Sequence, residues 1–166
     1  MPSLTTAAWP FQPIPEPVKA LLAKFYACVD APQDPNSNSI LANEVFHPDA
    51  TFQINKRIIR GREEIAHWRD GAASGGGGVA TSTHTVHNVY SLSTEGWEVL
   101  TTGTLALEMG DGRKAESEFA CRCLVTDEGA EGERIKEWRG WVDYVPFLKE
   151  DSFEKGRVYD SGGDRA

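Results

Sequence analysis

Residues 80–145 contain four runs of strand-like sequence, Ala80 to Ser93, Trp97 to Glu108, Lys114 to Thr126 and Arg134 to Val145, each longer than an average strand. Only Thr94-Glu95-Gly96, Gly110-Asp111-Gly112 and an acidic loop from Asp127 to Glu133 separate them. Connections this short force antiparallel pairing, because a parallel return needs a crossover of a dozen or more residues. An antiparallel meander is therefore expected. One face of such a meander needs cover, and the first half of the chain supplies it. Val18, Leu21, Leu22, Phe25 and Val29 recur at helical spacing and stop at Ala31-Pro32. After the polar stretch Gln33 to Asn38, a shorter helical piece has Ile40, Leu41 and Val45 on its inner face and is expected to end at His47-Pro48-Asp49. Thr51 to Ile54 and Arg57 to Arg60 flank an Asn55-Lys56 turn and read as a small hairpin. Gly61 opens a third helix in which Ile65 and Trp68 share a face. Three helices followed by a meander define an α+β fold, with the helices packed in the concave face of a curved antiparallel sheet that forms a cone-shaped barrel.

The 166 residues fit one domain. Pro2, Pro10, Pro13, Pro15 and Pro17, with no continuous apolar stretch, make residues 1–17 an extended proline-rich arm rather than a signal peptide or membrane anchor. Residues 18–147 form the domain, and 148–166 a polar C-terminal tail. Gly71 to Gly78 contains four consecutive glycines but lacks the Gly-Lys-Ser/Thr ending of a phosphate loop, so it reads as a linker or mobile lid between the two halves.

A net charge of −8, from 25 acidic and 17 basic side chains, repels phosphate backbones and anionic lipid, which argues against nucleic acid and membrane as partners. The four His have no His-x-x-x-His spacing, and Cys121 and Cys123 are too close for a Cys-x-x-Cys site, so no metal is expected. The same pair lies on one face of a strand and cannot form a disulfide, which points to reduced thiols and a cytoplasmic chain. No Gly-x-Ser-x-Gly elbow is present. Five Trp against so few ligand residues suggest an aromatic, apolar lining.

Several strings, in their order, resemble the nuclear transport factor 2-like superfamily and especially its SnoaL-like members. They are Phe25-Tyr26 followed by Asp30; Phe46-His47-Pro48-Asp49-Ala50-Thr51-Phe52; Gly61 with Glu63, Glu64 and Ile65; His84 with Asn88; Asp111-Gly112; and Ile135 with Trp138-Arg139-Gly140-Trp141-Val142-Asp143. The resemblance spans roughly residues 18–147 and implies a cone with a pocket at its open end. Carried over from ketosteroid isomerase, it puts the oxygen-polarising tyrosine on Tyr26, the general base on Ile54 and the second oxyanion-hole acid near Cys121. Epoxide hydrolase positions fall on Thr102, Thr104 and Gly140, and the histidine of scytalone dehydratase falls on His84.

His84 is thus the strongest candidate for acid and base work near neutral pH, oriented by Asp30 or Asp34. Phe52, Ile54, Trp68, Asn88, Thr102, Thr104, Phe119, Cys121 and Trp138 are expected to line the pocket. The outer sheet face, with Trp141, Leu105 and Leu107, is expected to meet a second copy in a homodimer. The resulting expectation is a cofactor-independent enzyme of the isomerase or lyase type. Its proton-transfer chemistry (isomerisation, dehydration or cyclisation) would act on an apolar polyketide- or terpenoid-like substrate of secondary metabolism. The alternative is a non-catalytic protein that binds a hydrophobic small molecule.

Overall fold

In the computed structural model, residues 4–70, 78–127, 132–143 and 145–147 are described. The expected polar tail and most of the glycine-rich segment lie outside them. Helix α1 (Glu16–Val29) begins with proline in its first turn, where the missing N–H costs no hydrogen bond. It buries Val18, Leu21, Leu22, Phe25, Tyr26 and Val29. Two of its aromatics set its seat on the sheet. Phe25 stacks on Trp138 with ring centroids 3.7 Å apart, and Tyr26 lies 6.1 Å from the Phe119 ring. Burial of a side chain such as Phe25 contributes about 1.5–3 kcal/mol, so these contacts anchor the helix in the concavity.

The second helical piece departs from expectation. Helix α2 (Ser37–Ile40) widens into a π-turn over Leu41–Val45, and strand β1 already starts at Phe46 and runs to Ile54. His47-Pro48-Asp49 therefore belongs to the strand rather than to a helix-ending turn. Pro48 cannot donate to a ladder, and the pairing of β1 is irregular between Phe46 and Thr51, where the proline is absorbed. Strand β2 (Arg57–Arg60) closes the hairpin. Asn55 sits in the turn at φ 50°. Its side chain also clamps the end of the last strand, accepting from the Val142 N–H at 3.0 Å and donating to the Val142 carbonyl at 2.8 Å. That second task explains an asparagine-lysine turn where asparagine-glycine is the stronger local signal. Helix α3 (Gly61–Ala66) is short, and Trp68 lies in the turn beyond it.

Strands β3 (Val79–Ser91), β4 (Glu98–Met109), β5 (Lys114–Thr126) and β6 (Arg134–Val142) form the antiparallel meander. The β1–β2 hairpin joins it through β6, so the six-stranded order is β2-β1-β6-β5-β4-β3. The β1–β6 junction is parallel, which the long intervening chain permits. The sheet curves but does not close. On its β3 edge, the N-terminal arm adds a bridge: Ala8 N–H donates to the His87 carbonyl at 2.8 Å and Val89 N–H to the Ala8 carbonyl at 2.9 Å. The described part of the arm is thus docked, with Ile14 buried in the core.

Side-chain parity decides what faces the concavity. Val99, Thr101 and Leu105 of β4 are buried, whereas Thr102 and Thr104 alternate onto the outer face. This reverses the expected parity: Thr102 and Thr104 do not line a cup, and Leu105 and Leu107 pack toward the core instead of a partner. On β3 the register shifts between Val86 and Asn88. This bulge places His87 and Asn88 on the outer side, next to Thr104 and Thr102. Opposite the bulge sits Gly103, where a Cβ would run into the Thr85 carbonyl. Only glycine permits that approach.

Candidate active site

Asp30 is the C-cap residue of α1, and its own N–H donates to the Tyr26 carbonyl at 2.9 Å. Its carboxylate faces β3 and collects three N–H contacts. The His84 backbone N–H lies 3.0 and 3.1 Å from its two oxygens, and His84 Nδ1 is 2.5 Å from Oδ1. Asp34 is occupied elsewhere, accepting from the Asn36 N–H at 2.9 Å. Of the two expected orienting acids, therefore, Asp30 is the one that reaches the imidazole. Both side chains are largely withdrawn from water, at 14% exposed for His84 and 18% for Asp30. In the neutral ring, a carboxylate at Nδ1 places the proton on that nitrogen and leaves the Nε2 lone pair open. The ring lies against the concave face, 5.4 Å from Tyr26 and 5.2 Å from Phe119 between centroids.

Below it is a second polar group with a different character. The Tyr26 hydroxyl lies 2.7 Å from Thr101 Oγ1, and both are fully buried. Cys121 is buried beside them, and its sulfur and the Trp138 indole nitrogen both border Gly140. Burial pushes the Tyr26 phenol well above its ordinary value, with the Cys121 sulfur adding to it, and pushes the Cys121 thiol up to about 12. The cluster is neutral at physiological pH. Tyr26 and Cys121 do come together, as the ketosteroid isomerase resemblance implies, but a thiol stands where that resemblance puts an acid. Ile54 lies partly buried at the end of β1 and supplies no base.

Along β5 the concave-facing Ser117, Phe119, Cys121 and Cys123 are all buried. Ser82, buried on β3, adds a hydroxyl beside Asp30. Of the other expected lining residues, Phe52 is core, packed against Phe46 and Phe25. Trp138 is core as well through its stack on Phe25. Gly140 leaves only methyl-sized room beside it, since a Cβ there would already be in ordinary contact with Cys121 Sγ at 3.4 Å and Trp138 Nε1 at 3.6 Å. Trp68 is partly buried, edge-on to Phe52, and its indole N–H has no hydrogen-bond partner among the described residues. Thr101 and Ser82 are additions from the structure, and the apolar alternation Val99, Leu105 and Leu107 marks Thr101 as inward. Ser117 faces in with Phe119 and Cys121, as the alternation of β5 requires.

Among the described residues, no group of three or more His, Cys, Asp or Glu is placed to hold a metal ion. Nor is any helix there long and apolar enough to cross a membrane.

No family model matches the sequence, and no curated protein matches it. Solved structures do. An NTF2-like protein of unknown function from Burkholderia pseudomallei superposes with TM-score 0.59 at 13% identity, over 80% of this chain and 95% of that one. An LEH-like epoxide hydrolase of M. tuberculosis gives 0.55 at 20% identity, over 79% and 82%. A protein from Agrobacterium tumefaciens described as a candidate isomerase of the SnoaL-like family gives 0.51 at 15% identity, over 76% and 97%. The chain is an α+β protein whose helices cover the concave side of a curved sheet. Its fold is that of the nuclear transport factor 2-like superfamily, a scaffold on which activity must be argued from the site.

Proposed function

We propose that the chain is a small-molecule enzyme that moves a proton on an apolar substrate, using His84 as base and acid, Asp30 to orient it and Tyr26 to polarise a substrate oxygen. The observation that carries this reading is the 2.5 Å contact between Asp30 Oδ1 and His84 Nδ1, in a ring that packs against Tyr26 and Phe119. In the proposed step, Nε2 takes a proton from a carbon beside a carbonyl. The carbon–hydrogen electron pair moves into an enol or enolate, and the carboxylate stabilises the imidazolium that forms. Returning the proton to another carbon gives isomerisation. Delivering it to a departing hydroxyl gives dehydration, and closing the enolate onto a second carbonyl gives cyclisation. Tyr26 has one proton and two lone pairs, so it can accept from Thr101 and keep its own proton for a substrate oxygen. The apolar walls at Leu105 and Phe119 support a polyketide- or terpenoid-like substrate. A second copy against the outer sheet face belongs to the same reading, supported by Tyr90 and Trp141, both more than 40% exposed; sedimentation equilibrium tests it.

The test is hydrogen–deuterium exchange in deuterated buffer across a panel of cyclic ketones, hydroxylated aromatics and terpenoid ketones, read by mass spectrometry. Wild type is expected to exchange the carbon-bound proton of at least one member, and His84→Ala to lose about 10²- to 10⁴-fold in rate. Exchange retained in His84→Ala refutes the mechanism. One observation favours the alternative of a hydrophobic-ligand binder: the Tyr26 hydroxyl is already satisfied by Thr101. Equal ligand binding by wild type and the Tyr26→Phe/His84→Ala double variant, with exchange in neither, would select that reading.

A further inference from the structure

Asp30 stands where a carboxylate destabilises the helix. The C-terminal end of a helix carries about half a negative charge from its unpaired carbonyls, and the last turn of α1 contains no basic residue. The opposing charge comes from elsewhere in the chain. Arg69, in the turn after α3, donates from Nη2 to the Val29 carbonyl at 2.8 Å and from Nη1 to the Cys28 carbonyl at 3.3 Å. Its guanidinium lies over the Trp68 ring, 4.6 Å from the centroid, and the Trp68 backbone is held by Arg57, which donates to its carbonyl at 2.6 Å. Val29, whose carbonyl Arg69 binds, immediately precedes Asp30. The residue that binds the final carbonyls of α1 therefore also brings a cation to the helix end that carries the acid orienting His84.

We propose that Arg69 is a positioning residue for the Asp30–His84 pair, holding the C-terminal end of α1 and supplying the positive charge that lets a carboxylate occupy it. This rests on the proton-transfer reading above. A planar fork spans two adjacent carbonyls while lying flat on an indole, and a lysine ammonium keeps the charge but not the fork. Charge and hydrogen bonding are separable by substitution. Arg69→Lys keeps the first, Arg69→Gln keeps a donor without charge, and Arg69→Met keeps only length.

The readout is the tautomer of His84, observed in histidine labelled with nitrogen-15 by two-dimensional NMR at a pH where the ring is neutral, with urea unfolding run alongside to show that each variant is folded. Wild type is expected to show the Nδ1–H tautomer with a downfield hydrogen-bonded proton. Arg69→Gln and Arg69→Met should lose that downfield signal and shift toward Nε2–H, while Arg69→Lys keeps it. In the exchange assay the neutral variants should fall by about tenfold, less than His84→Ala. A folded Arg69→Gln with wild-type His84 signals overturns the proposal and leaves Arg69 as a helix cap only. Asp30→Asn separates the two levels: if it moves the His84 signals and the Arg69 variants do not, the dyad stands and Arg69 falls. If Asp30→Asn leaves them unmoved, the dyad itself is refuted.

Discussion

Removing the Tyr26 hydroxyl tests whether the floor of the concavity is held by its polar cluster. In Tyr26→Phe, Thr101 Oγ1 loses a 2.7 Å partner and keeps only the Cys121 carbonyl at 3.5 Å. A buried group left poorly satisfied costs about 1–3 kcal/mol, and the residual contact places this change near 1–2 kcal/mol. Thr101→Val, of similar shape, strands the phenol beside a weakly accepting thiol and should cost a similar amount. The double variant removes both hydroxyls and leaves neither partner stranded. Its cost should therefore fall short of the sum by about 1 kcal/mol. Urea unfolding followed by tryptophan fluorescence reads each value, with midpoints lowered by about 0.5–1 M in the single variants and slopes unchanged. Strictly additive costs, or a neutral Tyr26→Phe, would show that the hydroxyls are not coupled and that the floor is less dry than the geometry indicates.

Three further outcomes follow from the same packing. Leu105→Ala should destabilise by about 2–5 kcal/mol because the side chain faces the core, and Thr104→Ala should stay within about 0.5 kcal/mol; the reverse order in urea unfolding would restore the opposite parity of β4. Gly103→Ala should cost about 3 kcal/mol or prevent folding, since its Cβ meets the rigid Thr85 backbone; an unchanged thermal midpoint refutes the bulge. Cys121 and Cys123 should resist thiol reagents in the folded protein, because burial raises both thiols, Cys121 from an ordinary value of 9.0 to about 12. A raised folded value means this stabilisation is complete below the unfolded value and is lost as pH climbs from about 9 toward 12. Thermal midpoints should therefore drop across that alkaline window, and a flat profile there would contradict the burial.

The sequence carries the meander openly, because its strand runs are long and its connections are short. Strand β5 shows this best: Ser117, Phe119, Cys121, Cys123 and Val125 are buried as alternation requires. The parity of β4 was equally present in Val99, Leu105 and Leu107, and it is the epoxide hydrolase resemblance that points to Thr102 and Thr104 instead. Local periodicity is the stronger guide there, since a one-residue slip exchanges the faces. Asn88 was not legible, because a bulge adds one residue at a place that no residue type announces. The early start of β1 was hidden for another reason: Val45 and Phe46 continue an apolar run that suits a helix or a strand equally, and only the pairing of Phe46 with Ile135 decides. Asp30 reached His84 because helix length and strand register together put the end of α1 beside residue 84, a consequence of packing rather than of spacing.

The two polar groups of the concavity answer to different constraints, and that difference separates structure from chemistry. Tyr26 and Thr101 satisfy each other, and with Cys121 and Trp138 they are neutral and almost completely buried, which is the condition under which a polar cluster adds to a core instead of weakening it. Tyr26 is the member of this cluster that the proposed step also uses, its own proton going to a substrate oxygen while Thr101 donates to it. Asp30 and His84 do not meet that condition. A carboxylate at the negative end of a helix, with a titratable imidazole as its partner and both still touched by solvent, contributes less to stability than a neutral cap and an apolar strand residue could. Arg69 is brought in from a separate turn to offset that placement. Under the proposed function the arrangement has a use, since it holds one proton on Nδ1 of His84 and leaves the Nε2 lone pair open for a substrate.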